Sequence, residues 1–122
     1  MSRLIPILAA ALLLGLAAAS PARAHALLRA ADPAVGSSIA HAPPELSLTF
    51  SESVEPAFCR VTVTNAAGAP MNSAPLHIDP QNAKRLLLPL KALPPGVYTV
   101  TWHATSTDTH RTQGRFQFTV AP

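Results

Sequence analysis

The chain has 122 residues, among them 13 prolines, 5 glycines and one cysteine, with 9 lysines and arginines against 6 aspartates and glutamates. Two of the basic residues, Arg3 and Arg23, sit in an acid-free apolar leader, so residues 25–122 keep seven basic and six acidic residues and a formal charge of only +1. No lysine and arginine stripe remains to bind nucleic acid, the length excludes several domains, and the prolines argue against a helical bundle.

The first element is an address. Arg3 supplies a positive start, and Leu4 to Ala19 form an apolar run broken only by Pro6 and Gly15. Ala22-Arg23-Ala24 follows as a small-x-small cleavage pattern. Residues 1–24 therefore read as a secretory signal peptide, and 25–122 as one exported domain beginning at His25. The apolar run of about 16 residues falls short of the roughly 20 that span a bilayer, so the cleaved domain is not expected to be membrane-embedded. Ala24-His25-Ala26 fits the same pattern, and cleavage after Ala26 would delete His25.

Short strands fill the rest. Leu27 and Leu28 suggest a first strand, closed by the Asp32-Pro33 to Gly36 turn. Leu46, Leu48 and Phe50 then alternate with polar residues, as do Cys59, Val61 and Val63. Beyond the Asn65–Pro70 turn come the shorter candidates Leu76-His77-Ile78 and Arg85–Leu90. Pro94-Pro95-Gly96 launches Tyr98, Val100 and Trp102, and Phe116, Phe118 and Val120 close the series. Period two with β-branched and aromatic residues means half-buried strands. About seven of them, with frequent turns, predict an all-β fold: a single antiparallel β-sandwich. Phe50, Phe58, Trp102, Phe116 and Phe118 are expected to fill its core. Cys59 has no partner for an internal disulfide and is expected to be a small buried residue.

Chemistry rests on the histidines. His41 and His77 sit near prolines and are expected to face water. His103 lies opposite Trp102 in strand parity, which puts it on the surface as an accessory ligand at most. Ser106-Thr107-Asp108-Thr109-His110 is different. In an extended segment Asp108 and His110 leave the same face. A carboxylate beside an imidazole makes half a metal site, or a base and its orienter. Cleavage after Ala24 would add His25, with an α-amine and an imidazole on one residue. Both shed protons easily near neutral pH. One amine, two imidazoles and a carboxylate suit tetragonal Cu(II). Zinc accepts the same ligands but prefers a tetrahedron and, when structural, more thiolate or histidine. Cu(I) prefers sulfur, and Met71 and Cys59 do not form a cluster in the sequence.

The start His25-Ala26-Leu27-Leu28, followed by Asp32-Pro33-Ala34-Val35-Gly36, resembles the CopC family of periplasmic copper-binding proteins. So do Leu48-Thr49-Phe50-Ser51-Glu52 and the run from Gly96 through Trp102, Asp108 and His110 to Phe118. The resemblance covers essentially all of 25–122. It implies a Greek-key sandwich of cupredoxin-like or immunoglobulin-like type. It also implies one Cu(II) per chain on His25, Asp108 and His110, with Glu52 nearby as a residue that orients a ligand. The methionine-rich Cu(I) site of some family members is missing, since Met71 stands alone.

The function so implied is non-enzymatic: copper sequestration or carriage for resistance and homeostasis, with a CopD-like inner-membrane transporter as partner. An exported chain starting with histidine also resembles lytic polysaccharide monooxygenases, whose histidine brace activates oxygen. A third reading is an immunoglobulin-like interaction module without metal.

Overall fold

The computed structural model describes residues 26–122; the signal-peptide reading of 1–24 and the ligand reading of His25 fall outside the described residues. Eight strands follow in order: β1 Leu28–Asp32, β2 Ser38–Ile39, β3 Glu45–Phe50, β4 Arg60–Thr64, β5 His77–Asp79, β6 Asn82–Pro89, β7 Gly96–Thr105 and β8 Arg111–Val120. A 3-10 turn, Pro56–Phe58, precedes β4. One sheet has the order β1-β3-β6-β5 and the other β2-β8-β7-β4. Every pairing is antiparallel except β2 with β8, which is parallel. Among the described residues no helix is long and apolar enough to cross a membrane.

The alternation in the sequence becomes the burial pattern. Leu46, Leu48 and Phe50 of β3 are buried, as are Val61 and Val63 of β4. Tyr98, Val100, Trp102 and Ala104 of β7 face Phe116, Phe118 and Val120 of β8 in the same core. The sheets meet edge-to-face where Phe50 and Trp102 lie 5.2 Å apart at 68°. Trp102 is paired across the hairpin with Gly114. A methyl group there would come within 2.5 Å of the indole, so only glycine leaves room for the ring. At the far end Tyr98 stacks on Phe118, and its hydroxyl donates to the Pro94 carbonyl. That buried phenol, absent from the expected core, is thereby satisfied.

Three details differ from expectation. The strands number eight because the two-residue β2 joins β8 in parallel, a pairing too short to leave a period. Phe58 is 71% exposed rather than a core residue. Pro56 initiates the 3-10 turn, and Phe58 has opposite parity to Cys59, Val61 and Val63, so the core-facing set excludes it. Cys59 is half-buried, packed against the core edge, with its Sγ accepting from the Thr105 amide at 3.3 Å.

Three segments converge at one end of the sandwich. They are the β7–β8 turn, the loop after β3, and residues 26–27 leading into β1. Glu55 N donates to Thr105 O at 2.9 Å, Thr107 N donates to Ser53 O at 3.1 Å, and Val54 bridges Ser106. Leu27 and Ser51 exchange two hydrogen bonds: Leu27 N to Ser51 Oγ and Ser51 N to Leu27 O, each 2.8 Å.

Candidate metal centre

The β7–β8 hairpin runs ten paired rungs from Gly96–Val120 to Thr105–Arg111 and then reverses through residues 106–110. Asp108 and His110 thus lie in a turn, not on the extended segment expected from their spacing. They still meet. His110 Nδ1 is 3.3 Å from Asp108 Oδ1, with both side chains about half exposed (46% and 51%). Thr109, between them, has φ of 74°, a left-handed conformation uncommon for a β-branched residue. Such strain, of about 1–3 kcal/mol, persists only where the surroundings impose it.

Ser106 imposes much of it. This residue is 2% exposed, and its hydroxyl donates to Asp108 Oδ1. The same oxygen accepts from the His110 amide at 3.2 Å, while Ser106 N donates to His110 O at 2.9 Å. A buried hydroxyl therefore ties the His110 backbone and one Asp108 carboxylate oxygen to the end of the sheet. The composition of the turn, serine and threonine around an Asp-x-His pair, is a legible signal for such side-chain to backbone bonding. The Ser106 hydrogen bond is the main cause that holds the Asp108 carboxyl below its ordinary range; partial desolvation opposes it and the His110 charge adds to it. The carboxylate is accordingly a ready anionic donor at neutral pH.

The N-terminal side of the fold arrives at the same place. Ala26 is fully buried, and its carbonyl accepts from Thr112 Oγ1 at 2.7 Å, two residues beyond His110. The 51–55 loop packs on the other flank. Its Glu52 keeps one carboxylate oxygen, Oε2, buried with no hydrogen-bond partner. Such an atom is costly unless a donor or cation supplies the missing contact. Among the described residues no cluster of three or more His, Cys, Asp or Glu side chains forms, so Glu52 does not join Asp108 and His110 in a complete ligand set.

The other histidines behave as expected. His41, His77 and His103 are exposed, and His103 faces outward from β7 opposite Arg60 and Gln113. Met71 is a loop residue against the core, held by Met71 N to Val63 O at 2.8 Å. Cys59 forms no ligand cluster with Asp108 and His110 among the described residues.

A family model described as the CopC domain matches residues 28–121. The chain belongs to the CopC family. The CopC match begins just after the two residues that tie to Ser51 and Thr112. Among relatives, Protein YobA of Escherichia coli K12 is 38% identical over 98 residues, covering 80% of this chain and 79% of the relative. Copper resistance protein C of Escherichia coli is 34% identical over 109 residues, covering 81% and 83%. Among solved structures, CopC from Methylosinus trichosporium OB3b superposes with a TM-score of 0.74 at 28% identity, over 80% of this chain and 95% of that one. The two-sheet arrangement described above is thus the CopC sandwich, and the function of the chain is copper-related.

Proposed function

We propose that the protein is an exported, periplasmic carrier that binds one Cu(II) ion as cargo, using His25, Asp108 and His110. The observation that carries this reading is the Asp108–His110 pair, held 3.3 Å apart on a turn beside the buried Ala26. Consecutive Cα atoms are about 3.8 Å apart, so a residue covalently joined to Ala26 starts within reach of Thr112 and the turn. His25 would bring its amine and ring nitrogen, His110 an imidazole, and Asp108 a carboxylate already ionised. Nitrogen-rich sites with one oxygen suit Cu(II). The unpartnered Glu52 oxygen supports a role as an acceptor that orients a ligand imidazole or amine.

A half-exposed site at the end of a sandwich can pass its ion on without unfolding, which favours carriage over catalysis. The Asp108 carboxylate would also occupy a position that oxygen chemistry needs open. Copper would then go to, or come from, a CopD-like membrane transporter.

Mass measurement of the exported protein comes first, with His25 expected as its first residue. Cu(II) titration should then give one equivalent with a nitrogen-rich tetragonal electron paramagnetic resonance spectrum. His110→Ala, or a methionine placed ahead of His25, should weaken binding strongly, and Asp108→Ala more mildly. Unchanged affinity in all three would sink the site, and steady peroxide turnover by the copper-loaded protein would sink the carrier reading.

A further inference from the structure

The outer face of β4, β7 and β8 carries charge of one sign. Arg60, His103, Arg111 and Arg115 are exposed there, and the three strands contain no aspartate or glutamate. Register aligns them: Arg60 pairs with His103, His103 with Gln113, Thr105 with Arg111 and Thr101 with Arg115. The ion pairs among the described residues lie elsewhere, at Arg85–Asp79 and His110–Asp108. With strands about 4.8 Å apart and a rise of about 3.3 Å per residue, three arginine Cα atoms fall within a patch of roughly 13 by 10 Å. The screening length at physiological salt is about 8 Å, so an anion on the patch feels more than one cation.

The patch is also concave. Arg60, His103, Thr105, Arg111 and Gln113 line a groove of about 540 Å³ with Phe58 as one wall. Phe58 is a fixed wall despite its 71% exposure. Thr105 Oγ1 donates to its carbonyl at 2.9 Å, and Glu55 N donates to Thr105 O at 2.9 Å, pinning the 3-10 turn to β7. Glu55 precedes that turn and is not among the residues that line the groove. Arginine beside a rigid aromatic is the composition of protein-binding anchors. A bilayer surface would call for a flat or convex basic face, whereas a groove takes a chain segment.

We propose that this groove docks an acidic segment of a partner protein, with carboxylates on Arg60 and Arg111 and an apolar side chain against Phe58. Arg111 directly follows His110, so the docked partner lies beside the Asp108–His110 turn. Docking itself is independent of copper; its use in handing over the ion rests on the carrier reading.

The test uses the metal-free exported protein labelled with nitrogen-15. Its probe is a short peptide of glutamates interrupted by leucines, with a lysine and leucine peptide and phosphatidylglycerol vesicles as the other arms. Saturable amide shifts confined to Phe58, Arg60, Thr105, Arg111 and Gln113, with the glutamate peptide only, are expected. Joint substitution Arg60→Gln and Arg111→Gln should weaken that binding about tenfold, and Phe58→Ser should weaken it too. These side chains are exposed, so a dispersed spectrum will verify each variant's fold. Absent shifts, shifts spread over other faces, unchanged affinity in the glutamine variant, or binding to vesicles but not to peptide each overturn the proposal. Peptide shifts in a protein that fails to bind copper would uphold the groove and reject the carrier.

Discussion

Ser106 Oγ donates to Asp108 Oδ1 from a position only 2% exposed, while accepting the His110 amide at 3.2 Å. One buried hydroxyl thus sets the geometry of both candidate ligands. Ser106→Ala should leave the sandwich folded yet weaken Cu(II) binding by about 10-fold or more, as loss of a ligand-orienting contact typically does. Ser106→Thr, which keeps the hydroxyl, should recover part of it. Competition titration against a chelator reads both. Equal affinity in wild type and Ser106→Ala would mean that the backbone alone shapes the turn.

Acid should release copper through nitrogen, not through Asp108. The Ser106 hydrogen bond, ahead of the His110 charge, lowers the Asp108 pKa. Its carboxylate therefore stays ionised well below neutrality. Affinity should fall as the solution is acidified from neutral pH, because protons compete with the ion for the amine and imidazole nitrogens. For folding the sign is likewise set. A lowered folded pKa contributes stability above the unfolded value of about 3.9, lost as pH falls through the lower folded value. Asp108 is half exposed, so that contribution is screened. A copper affinity that begins to fall only below about pH 4 would contradict nitrogen ligation.

Gly114→Ala should destabilise the fold by about 1–3 kcal/mol or more, the range for overpacking. Its new methyl would meet Trp102 Cζ2 at 2.5 Å and Cε2 at 2.7 Å. Urea unfolding followed by the fluorescence of Trp102, the one tryptophan, gives the measurement. A midpoint shift below a few tenths of a molar would show that the indole can step aside.

Cys59 should be slow to alkylate in the native state. Burial is the main cause that raises its thiol pKa, partly opposed by the Thr105 backbone hydrogen bond. Less thiolate is then present at any pH near neutrality, and thiolate is the reactive form. Iodoacetamide labelling at pH 8 should be several-fold slower than in denaturant; equal rates would place the sulfur in open solvent.

Much of this fold is legible because an antiparallel sandwich writes its core in period two. β3, β7 and β8 follow directly from Leu46-Leu48-Phe50, Tyr98-Val100-Trp102 and Phe116-Phe118-Val120. Phe58 was open to the same reasoning: its parity against Val61 and Val63 excludes it from the core, and hydrophobic character alone misplaces it. The two-residue β2 carries no such pattern. At the turn, spacing names Asp108 and His110 but assigns the wrong local geometry, since their approach depends on Thr109 in a left-handed conformation. Ser106 is invisible as a ligand-setting residue until its burial and its bonds to Asp108 and His110 across the turn are seen.

The hairpin polarity has a practical corollary for anyone handling this protein. β8 leaves the Asp108–His110 turn at Arg111 and finishes nine residues later at Val120, beside Gly96. At about 3.3 Å per residue the two ends are roughly 30 Å apart. Affinity tags, dyes and surface linkers fused after Pro122 therefore hang off the opposite pole. Any of them spliced onto Ala26 would emerge next to Thr112, within the very corner where an ion or a client has to enter.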